Sequence, residues 1–394
     1  MIPELRQAFN VSFTPEAYAR FLAGIDSLTG THIPFRHNET PVFMDEALLD
    51  TMARSGQELL QQVVGNARYH ALSDVIIPAQ YRVRNEAPCP LFVQADFGII
   101  RNAAGTLEPR LVEIQGFPSL YAYQPVMAET YRRAYGLDPT LKTLLSGLDL
   151  ESYWALLRHA ILGEQEPENV ILLEIDPEHQ KTACDFHINE QVTGVKAVCI
   201  TKIRQEGRKL YYERDGQLVP IHRIYNRCIV DELERKGVTA PFDWAADLDV
   251  EWAGHPNWYF RLSKFTIPFF DHPHVPRTLF LDRVETIPED LDNWVLKPLY
   301  SFAGLGVSVG PTRAEVDAVT DRQNWILQER VRWEPVMATP HGPTQVEVRI
   351  MYLWFEGGQP QPVNTIIRTG RGKMMGVDHN KGLDWVGASA AFYR

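Results

Sequence analysis

The sequence predicts a mixed fold with α/β and α+β parts, and three observations support this prediction. Residues 1–90 show apolar spacings of three and four, which indicate amphipathic helices. Between residues 170 and 200, a helical run separates two β-rich runs, as in a parallel βαβ unit. From residue 293 onward, short β-rich runs follow one another with Gly-rich or polar links, which is typical of an α+β part.

The first half of the chain divides into helices, one hairpin and one βαβ unit. A helix or helix pair is predicted for "MDEALLDTMARSGQELLQQVVGNARYHAL", and a further helix for "AYQPVMAETYRRAYGL". "PLFVQADFGII" and "PRLVEIQGF" flank "RNAAGTLE", whose Asn and Gly suit the turn of an antiparallel hairpin. After the polar "GEQEPEN", the βαβ unit consists of "VILLEID", "PEHQKTACDFHINEQ" and "VKAVCIT".

The second half is predicted to be richer in strands. "LYYERDGQLVPIHRIYNR" indicates a hairpin with Asp-Gly at its turn. Strands are predicted for "NWVLKPL", "GVSVG", "WILQERV" and "VEVRIMYLWF", and a helix for "TRAEVDAVT". Changes of pattern place the boundaries of four units, at 1–160, 161–250, 251–335 and 336–394.

Composition excludes several classes of function. The chain has 39 Lys and Arg against 50 Asp and Glu, a net charge of -11, which argues against an electrostatic nucleic-acid binder. No run approaches 18 apolar residues, so no membrane span is expected. "MIPELRQAFN" lacks the features of a secretory signal, and the four scattered cysteines include no CxxC pair. We therefore expect reduced thiols in a cytoplasmic protein.

A carboxylate and an amide interrupt the apolar strand in "RLVEIQGFPSL". Glu113 and Gln115 are two residues apart and therefore point to the same face of a strand. A charge at this place needs a partner, and a metal ion is one that both groups could share. Glu113 and Gln115 are thus candidate ligands of Mg²⁺.

Two lysines and a glycine loop indicate a phosphate site. Lys297 ends an apolar strand before a loop with Gly304 and Gly306, whose backbone amides could surround phosphate oxygens. Lys264 lies 33 residues earlier, and both lysines could clamp one polyphosphate. The spacing fits neither the P-loop nor the dinucleotide fingerprint. A hairpin with a glycine turn and two surface lysines is an equally good reading of the pattern alone.

Three later stretches carry further candidate groups. The strand "NWILQERV" has a backbone that could bind an adenine edge, and Glu347 shares a strand face with Arg349. Arg349 could contact phosphate or form an ordinary cross-strand ion pair. Basic residues among glycines in "IIRTGRGKMMG" suit a loop that closes over an anion, and a disordered basic tail is the alternative; these residues are Arg368, Arg371 and Lys373.

A second basic cluster lies in "IHRIYNRCIVDELE". Arg223 and Arg227 flank Tyr225 with one strand parity and could hold a substrate carboxylate bidentately. A surface ion-pair network is the alternative. Tyr121 and Tyr123 are candidates for the wall of an acceptor pocket.

These motifs occur in an order that resembles the circularly permuted ATP-grasp ligases, namely eukaryotic-type glutathione synthetases and glutathionylspermidine synthetase-like proteins. Asp96 precedes Glu113 by 17 residues, as in the Asp and Glu-x-Asn hairpin of those enzymes. In the permuted group this metal motif comes before the nucleotide-binding lysines, as it does here. The resemblance covers residues 90–394 and includes Arg223 to Arg227, the lysines, "ILQERV" and the Gly/Ala-rich C-terminal loop.

The resemblance implies an ATP-grasp fold in permuted order, in which two α+β subdomains clamp ATP. Residues 1–160 would contain the metal-binding hairpin, 161–250 a small α/β substrate domain, 251–335 the lysine-bearing subdomain, and 336–394 core strands and a lid. The implied activity joins a small-molecule carboxylic acid to an amine through an acyl phosphate, using ATP and Mg²⁺. Dimers are common among relatives, so a homodimer is compatible with the resemblance.

The resemblance also assigns roles to single residues. Glu113 and Gln115 would bind magnesium, with Asp96, Arg349 and Arg368 at the reacting centre. The ATP site would comprise Lys264, Lys297, Ser301, Gly304, Gly306, Gln328, Glu329, Val331, Arg371 and Lys373. The substrate site would comprise Ser119, Tyr121, Arg223 and Arg227.

The chain departs from the family pattern at three places. Gln115 replaces the usual Asn, and "AGLG" replaces a glycine triplet. Ser301 stands where the family has a magnesium-binding Glu, so either one metal would be bound more weakly or another carboxylate such as Glu347 would substitute. Glutathione is therefore not implied as the substrate. A small-molecule kinase on the same nucleotide site and a degenerate nucleotide-binding protein are the alternative functions.

Overall fold

The computed structural model describes residues 1–300, 305–372 and 374–394, and only the backbone of residues 377 and 378. The α-helices in chain order are α1 (Pro3–Ser12), α2 (Pro15–Thr29), α3 (Glu46–Val63), α4 (Ala67–Asp74), α5 (Tyr123–Tyr135), α6 (Leu150–Leu162), α7 (Ala183–Thr193), α8 (Val230–Lys236), α9 (Asn257–Arg261) and α10 (Arg313–Asp317). A short 3₁₀ helix, Lys264–Phe269, follows α9 and is called the lysine helix below.

The strands form five sheets. In chain order they are β1 (Val42–Met44), β2 (Phe92–Arg101), β3 (Leu107–Gln115), β4 (Val170–Glu174), β5 (Lys196–Cys199), β6 (Arg204–Glu206), β7 (Lys209–Arg214), β8 (Gln217–Ile221), β9 (Arg223–Asn226), β10 (Glu251–Ala253), β11 (Thr278–Phe280), β12 (Trp294–Pro298), β13 (Ser308–Val309), β14 (Trp325–Glu329), β15 (Met337–Thr339), β16 (Gly342–Leu353), β17 (Gln361–Gly370), β18 (Gly387–Ser389) and β19 (Ala391–Tyr393).

The largest sheet is antiparallel, has the strand order β18-β17-β16-β2-β3, and carries β15 on β16. It joins two hairpins that lie far apart in the chain, and the first is the hairpin that the sequence predicts. One face is apolar and packs on α3, because alternate residues of β2 and β16 such as Phe97, Val348 and Ile350 are fully buried against Leu49 and Met52. The opposite face carries the polar residues.

A parallel sheet with the order β10-β9-β4-β5 follows in the chain. The unit β4-α7-β5 pairs in parallel, as predicted from the two apolar runs and the helix between them. The chain then returns to the other side of β4, where β9 pairs with it. The strand order therefore reverses between β4 and β9, and such a reversal opens a crevice at the carboxyl ends of the strands.

One predicted element requires correction. The sequence suggests a single hairpin that continues through residues 209–227, and β7 and β8 do form a hairpin around Asp215 and Gly216. The chain leaves this hairpin after Ile221, however, and residues 223–226 form β9 of the parallel sheet. The alternation of apolar and polar residues in a strand predicts the strand but not the strand with which it pairs. Tertiary structure therefore decides that residues 223–226 join the parallel sheet.

The lysine-bearing sheet is antiparallel with the order β11-β14-β12-β13. Leu296 and Leu327 on one face pack into a small core of their own, and Lys297 and Gln328 lie on the other face. The ends of the chain also meet, since β1 pairs in parallel with β19. Within the described residues, no helix is both long and apolar enough to cross a membrane, and all four cysteines are free.

Candidate functional site

The register of the largest sheet gathers distant polar residues on one face. Asp96 lies opposite both Glu113 on β3 and Arg349 on β16, and Glu347 lies opposite Arg368 on β17. Directly opposed residues of antiparallel strands point to the same side of a sheet. Five of the residues singled out by the sequence therefore share one surface.

Asp96 holds two arginines on this face. Its carboxylate accepts hydrogen bonds from Arg349 Nε at 2.5 Å and Nη2 at 2.6 Å, and from Arg368 Nη2 at 2.7 Å. Arg349 Nη1 also donates to Gln94 Oε1 at 3.0 Å. Burial alone would lower the pKa of Arg349, but the Asp96 carboxylate raises it above its ordinary value. Asp96 is thus a positioning residue, because both arginines occupy its oxygens.

Glu347 is a second buried carboxylate beside the same arginines. Its side chain is 4% exposed and forms an ion pair with Arg368. Burial raises its pKa, Arg368 lowers it, and the nearby Asp96 charge raises it further. The two arginines therefore neutralise two carboxylates in one buried cluster.

Glu113 meets a lysine from a distant part of the chain. Lys264, the first residue of the lysine helix, places Nζ 3.8 Å from Glu113 Oε1. Ser263 caps the lysine helix by accepting a hydrogen bond from Phe265 N at 3.3 Å, and this cap fixes the residue at which the helix begins. A Cβ at Gly116 would lie 2.4 Å from the Trp258 carbonyl oxygen, so the turn after Gln115 requires glycine to approach α9.

Lys297 approaches the same strand from the lysine-bearing sheet. Its Nζ donates to the Val112 carbonyl at 3.3 Å and to Gln328 Oε1 at 2.5 Å. Burial lowers its pKa to about 8, with Glu113 opposing this effect and Lys264 adding to it. Gln328 in turn donates from Nε2 to Thr278 Oγ1 at 3.1 Å. The predicted lysines and the predicted metal ligands thus form one cluster.

A small cavity lies among these groups. Glu113, Gln115 and Lys264 line it together with Tyr259 and Tyr300, and its volume is about 30 Å³. That space holds a water molecule or a metal ion. The described residues include no cluster of three His, Cys, Asp or Glu side chains arranged around a metal. A cation here would therefore have the two oxygen donors of β3 as its protein ligands.

The structure describes only some of the loop residues that the sequence assigns to the nucleotide site. Ser301, Gly304 and Lys373 lie outside the described residues. Gly306 has a φ of +72° and starts the turn into β13, a conformation that favours glycine. Val331 is half-buried after the end of β14, and the Glu329 backbone N–H donates to the Arg277 carbonyl at 2.8 Å.

The basic C-terminal loop folds back on itself. Arg371 donates from Nη1 to Thr344 Oγ1 at 2.9 Å and from Nη2 to the Asp384 carbonyl at 2.6 Å. Asn380 Oδ1 accepts hydrogen bonds from the backbone of Arg371 and Gly372. Arg371 thus has partners within its own loop and on β16, whereas Arg368 reaches the polar face.

The predicted substrate residues separate into two groups. Arg223 donates to the carbonyls of Ile161 and Ala160 and pairs with Glu251, so it serves the packing of α6 on β9. Tyr121 is fully buried, and its hydroxyl donates to the carbonyls of Val93 and Tyr352 at 2.9 Å. The structure does not bring these two side chains to the cleft.

Tyr123 and Ser119 also differ from the expected arrangement. Tyr123 is fully buried, and its hydroxyl pairs with the imidazole of His37. The carbonyl of Ser119 accepts a hydrogen bond from Gln94 Nε2 at 2.8 Å, which ties the turn after β3 to the polar face. Ser119 therefore contributes to the site's framework through its backbone.

Arg227 is different from Arg223. It is 3% exposed at the carboxyl end of β9, and its guanidinium lies 4.9 Å from the centre of the Phe117 ring. Nη2 donates to Thr182 Oγ1 at 3.4 Å, while Nε and Nη1 are buried without a partner among the described residues. Phe117 also lines the small cavity, so Arg227 lies just behind it.

Sequence reasoning missed two carboxylates near Arg227. Glu174 ends β4, and burial raises its pKa to about 7 although Arg227 lowers it. Asp185 accepts the backbone N–H groups of Ala122 and Tyr123 at 2.9 Å and so caps α5. The charged residue at the end of the apolar run "VILLE" is a signal that could have indicated Glu174.

No family model and no curated protein matches the chain. Among solved structures, the chain is similar to a glutathione synthetase-like effector from Globodera pallida in its apo form, with a TM-score of 0.56 and 12% identity. The likeness covers 98% of this chain and 97% of the effector. The chain therefore has a glutathione synthetase-like fold, and this part of the predicted resemblance is confirmed, whereas the ATP-grasp fold in permuted order stays a prediction.

Proposed function

We propose that the protein is an ATP-dependent carboxylate–amine ligase with an ATP-grasp fold in permuted order. The meeting of three segments carries this proposal. Lys297 Nζ binds the carbonyl that precedes Glu113, and Lys264 Nζ lies 3.8 Å from the Glu113 carboxylate. The similar fold of the glutathione synthetase-like effector from Globodera pallida supports the same class of enzyme.

The residues of the cleft fit a magnesium–triphosphate group. A carboxylate and an amide oxygen on one strand face suit Mg²⁺, which is commonly bound through one or two carboxylates plus substrate phosphates. Two lysines that are 6% and 9% exposed stand beside them. Buried ammonium groups are costly unless an anion pairs with them. Glu113 and Gln115 would hold the metal, and Lys264 and Lys297 would neutralise the phosphates.

When bound, ATP and Mg²⁺ would supply the phosphoryl group that activates the acid. An amine would then displace inorganic phosphate and form the amide bond. The chain's own residues contribute position and charge, which are the main requirements of phosphoryl transfer. Arg349 and Arg368, fixed by Asp96, would place positive charge beside the reacting carboxylate.

Arg227 would bind the carboxylate of the acid substrate. Its Nε and Nη1 are buried donors without a hydrogen-bond partner among the described residues. A carboxylate would bind in the fork that Nη2 forms with one of them, in place of the long hydrogen bond from Nη2 to Thr182 Oγ1. The crevice at the reversal point of the parallel sheet is a common ligand site in open α/β sheets. The acid would bridge Arg227 and the polar face of the largest sheet, passing Phe117.

The small cavity is the part of the proposed nucleotide site where the two candidate metal ligands and Lys264 meet. The triphosphate would extend from this point towards Lys297. The basic loop between β17 and β18 would then close over the phosphates and exclude water. This closure would protect the acyl phosphate from hydrolysis.

A screen for ADP release tests the proposal. The full chain is incubated with ATP and Mg²⁺ against pools of amino acids, peptides and polyamines, singly and in pairs. Ligase activity is expected to need a pair of pools, whereas ADP release with one pool and a phosphorylated product indicates a kinase. ATP binding without ADP release in any combination indicates a degenerate nucleotide-binding protein.

Glu113→Gln is the matching variant. We expect a loss of turnover of about a thousandfold, because the exchange removes the charge that faces the metal and Lys264. Glu108→Gln on the same strand is the control, since Glu108 pairs with Arg110 away from the cleft. Equal turnover of both variants, with intact folds by circular dichroism, would falsify the assignment.

A further inference from the structure

A second cavity lies behind the lysine helix. Its volume is about 500 Å³, and it is bounded by the end of α3, by α4, by the lysine helix and by β11. It shares no lining residue with the small cavity beside Glu113. Lys264 lies at one end of the lysine helix and faces the small cavity, whereas Phe269 at the other end lines the second cavity.

The walls of the second cavity are largely apolar. Val63 and Leu72 come from the helices, and Phe269 and Phe280 come from the opposite side. Leu72 is 36% exposed, and Val75 directly after α4 is 83% exposed. Apolar side chains left open to water around a concave surface mark ligand sites, and the volume lies within the usual range for small molecules.

Two arginines give this cavity a positive charge. Arg68 and Arg283 line it, both are exposed, and neither has an acidic partner among the described residues. The Arg283 guanidinium lies 5.0 Å from the centre of the Phe280 ring, so charge and aromatic surface are adjacent. No acidic residue lines the cavity, although the whole chain carries a net charge of -11. This local reversal of charge favours an anionic occupant.

Tyr69 connects the second cavity with the catalytic cleft. It lines the cavity, and its hydroxyl lies 2.9 Å from Thr266 Oγ1 within the lysine helix. The same hydroxyl donates to the Arg261 carbonyl at the end of α9. An occupant of the cavity would therefore contact the segment that positions Lys264.

We propose that the second cavity is a binding site for a small organic anion with an aromatic or branched apolar body. The arginines bind the anionic group, and the side chains of Leu72, Phe269 and Phe280 bury the apolar body. The second cavity shares no lining residue with the small cavity beside Glu113, although Thr278 on its wall accepts a hydrogen bond from Gln328 of the proposed nucleotide cleft. The site does not depend on the ligase activity proposed above.

The probe for this site is 8-anilinonaphthalene-1-sulfonate, an aromatic anion whose fluorescence rises in apolar surroundings. It is titrated into the full chain with and without saturating ATP and Mg²⁺. We expect saturable binding to one site that ATP does not displace. Absence of saturable binding, or competitive displacement by ATP, would overturn the proposal.

Variants locate the bound probe. Arg68→Gln combined with Arg283→Gln should weaken binding about tenfold or more, because both cations of the site are lost. Leu72→Glu should weaken it to a similar extent by placing a negative charge at the rim. Arg133→Gln, an exposed arginine of α5, is the control and should bind the probe like the wild type. Wild-type affinity in the double variant or in Leu72→Glu, with folds verified by circular dichroism, would contradict the site.

Discussion

The half-buried Arg349 and the buried Arg227 lie in contrasting surroundings. Arg349 on the largest sheet donates from all three side-chain nitrogens, to Asp96 and to Gln94. Arg227 at the end of the parallel sheet has two nitrogens without a partner among the described residues. Burying hydrogen-bond donors that have no acceptor costs free energy, so these two nitrogens make Arg227 a candidate for binding a ligand.

The contrast separates framework from binding site. Arg349 and Asp96 are organised before any substrate arrives, and their mutual pairing holds the polar face of the largest sheet. Arg227 lies behind Phe117 and has two donors, Nε and Nη1, without a hydrogen-bond partner among the described residues. We therefore expect substitution of Arg349 to lower both stability and turnover, and substitution of Arg227 to affect mainly substrate binding.

Arg349→Met should have the largest effect on stability. Its removal leaves the buried Asp96 carboxylate with Arg368 alone, and breaking a buried ion pair costs about 3 kcal/mol or more. Urea denaturation of wild type and variant measures the difference. A free energy of unfolding within about 1 kcal/mol of the wild type would break the comparison, since uncompensated burial of charge is its basis.

Arg227→Met should destabilise the protein less than Arg349→Met does. The variant loses one long hydrogen bond and the attraction of Arg227 for the buried Glu174 and Asp185, but it also removes two buried nitrogens that have no hydrogen-bond partner among the described residues. Once a substrate pair is known, KM for the acid should rise about tenfold to a hundredfold, as expected for loss of hydrogen bonds to a charged group. A strongly destabilised variant would show that Arg227 is framework, like Arg349.

Glu174→Gln sharpens the comparison through pH. The pKa of Glu174 is raised to about 7 in the folded protein, so the folded state keeps a proton that the unfolded state releases. The free energy of unfolding of the wild type should therefore fall as pH rises from about 4.5 to about 7, by roughly 2 kcal/mol relative to Glu174→Gln. Denaturation series at pH 5 and pH 8 measure this difference. Equal pH dependence of the two proteins would show that Glu174 is not held neutral.

The smallest expected effect is the change of ATP affinity with pH, which depends on Lys297 of the lysine-bearing sheet. Its pKa of about 8 means that the charge needed for phosphate binding is present below pH 8 and is lost above it. If Lys297 binds the ATP phosphates as proposed, the affinity for ATP should fall by about fivefold between pH 8 and pH 9, because the charged fraction of Lys297 falls by that factor. Lys297→Arg should remove this dependence because its guanidinium stays charged. Calorimetric titration at both pH values tests this. An affinity of the wild type that does not change would place the phosphates elsewhere.

Much of the fold follows from local patterns. Alternation in "PLFVQADFGII" and "PRLVEIQGF" predicts the hairpin β2–β3, and the apolar runs around α7 predict a parallel pair. The segment after Ile221 is wrongly assigned, because alternation alone does not reveal that β9 joins another sheet. The boundaries of the four predicted units stay predictions.

Parts of the candidate site were predictable for the same reason. Glu113 and Gln115 share a face because the side-chain period of a strand is two residues. The position of Lys297 at the end of β12 follows from its apolar run. Arg223 and Tyr121 show the limit of this reasoning. Their side-chain donors form hydrogen bonds with nearby backbone carbonyls and are therefore not available to a substrate.

The sequence by itself determined which side chains share a strand face, because that depends only on the local geometry of the backbone. The tertiary structure alone decided which polar groups pair with each other. Asp96 and Arg349 are 253 positions apart, and only the register of β2 on β16 makes them partners. The tertiary structure also brings Glu174 and Asp185 close enough to Arg227 for its charge to lower their pKa, yet Nε and Nη1 of Arg227 have no hydrogen-bond partner among the described residues.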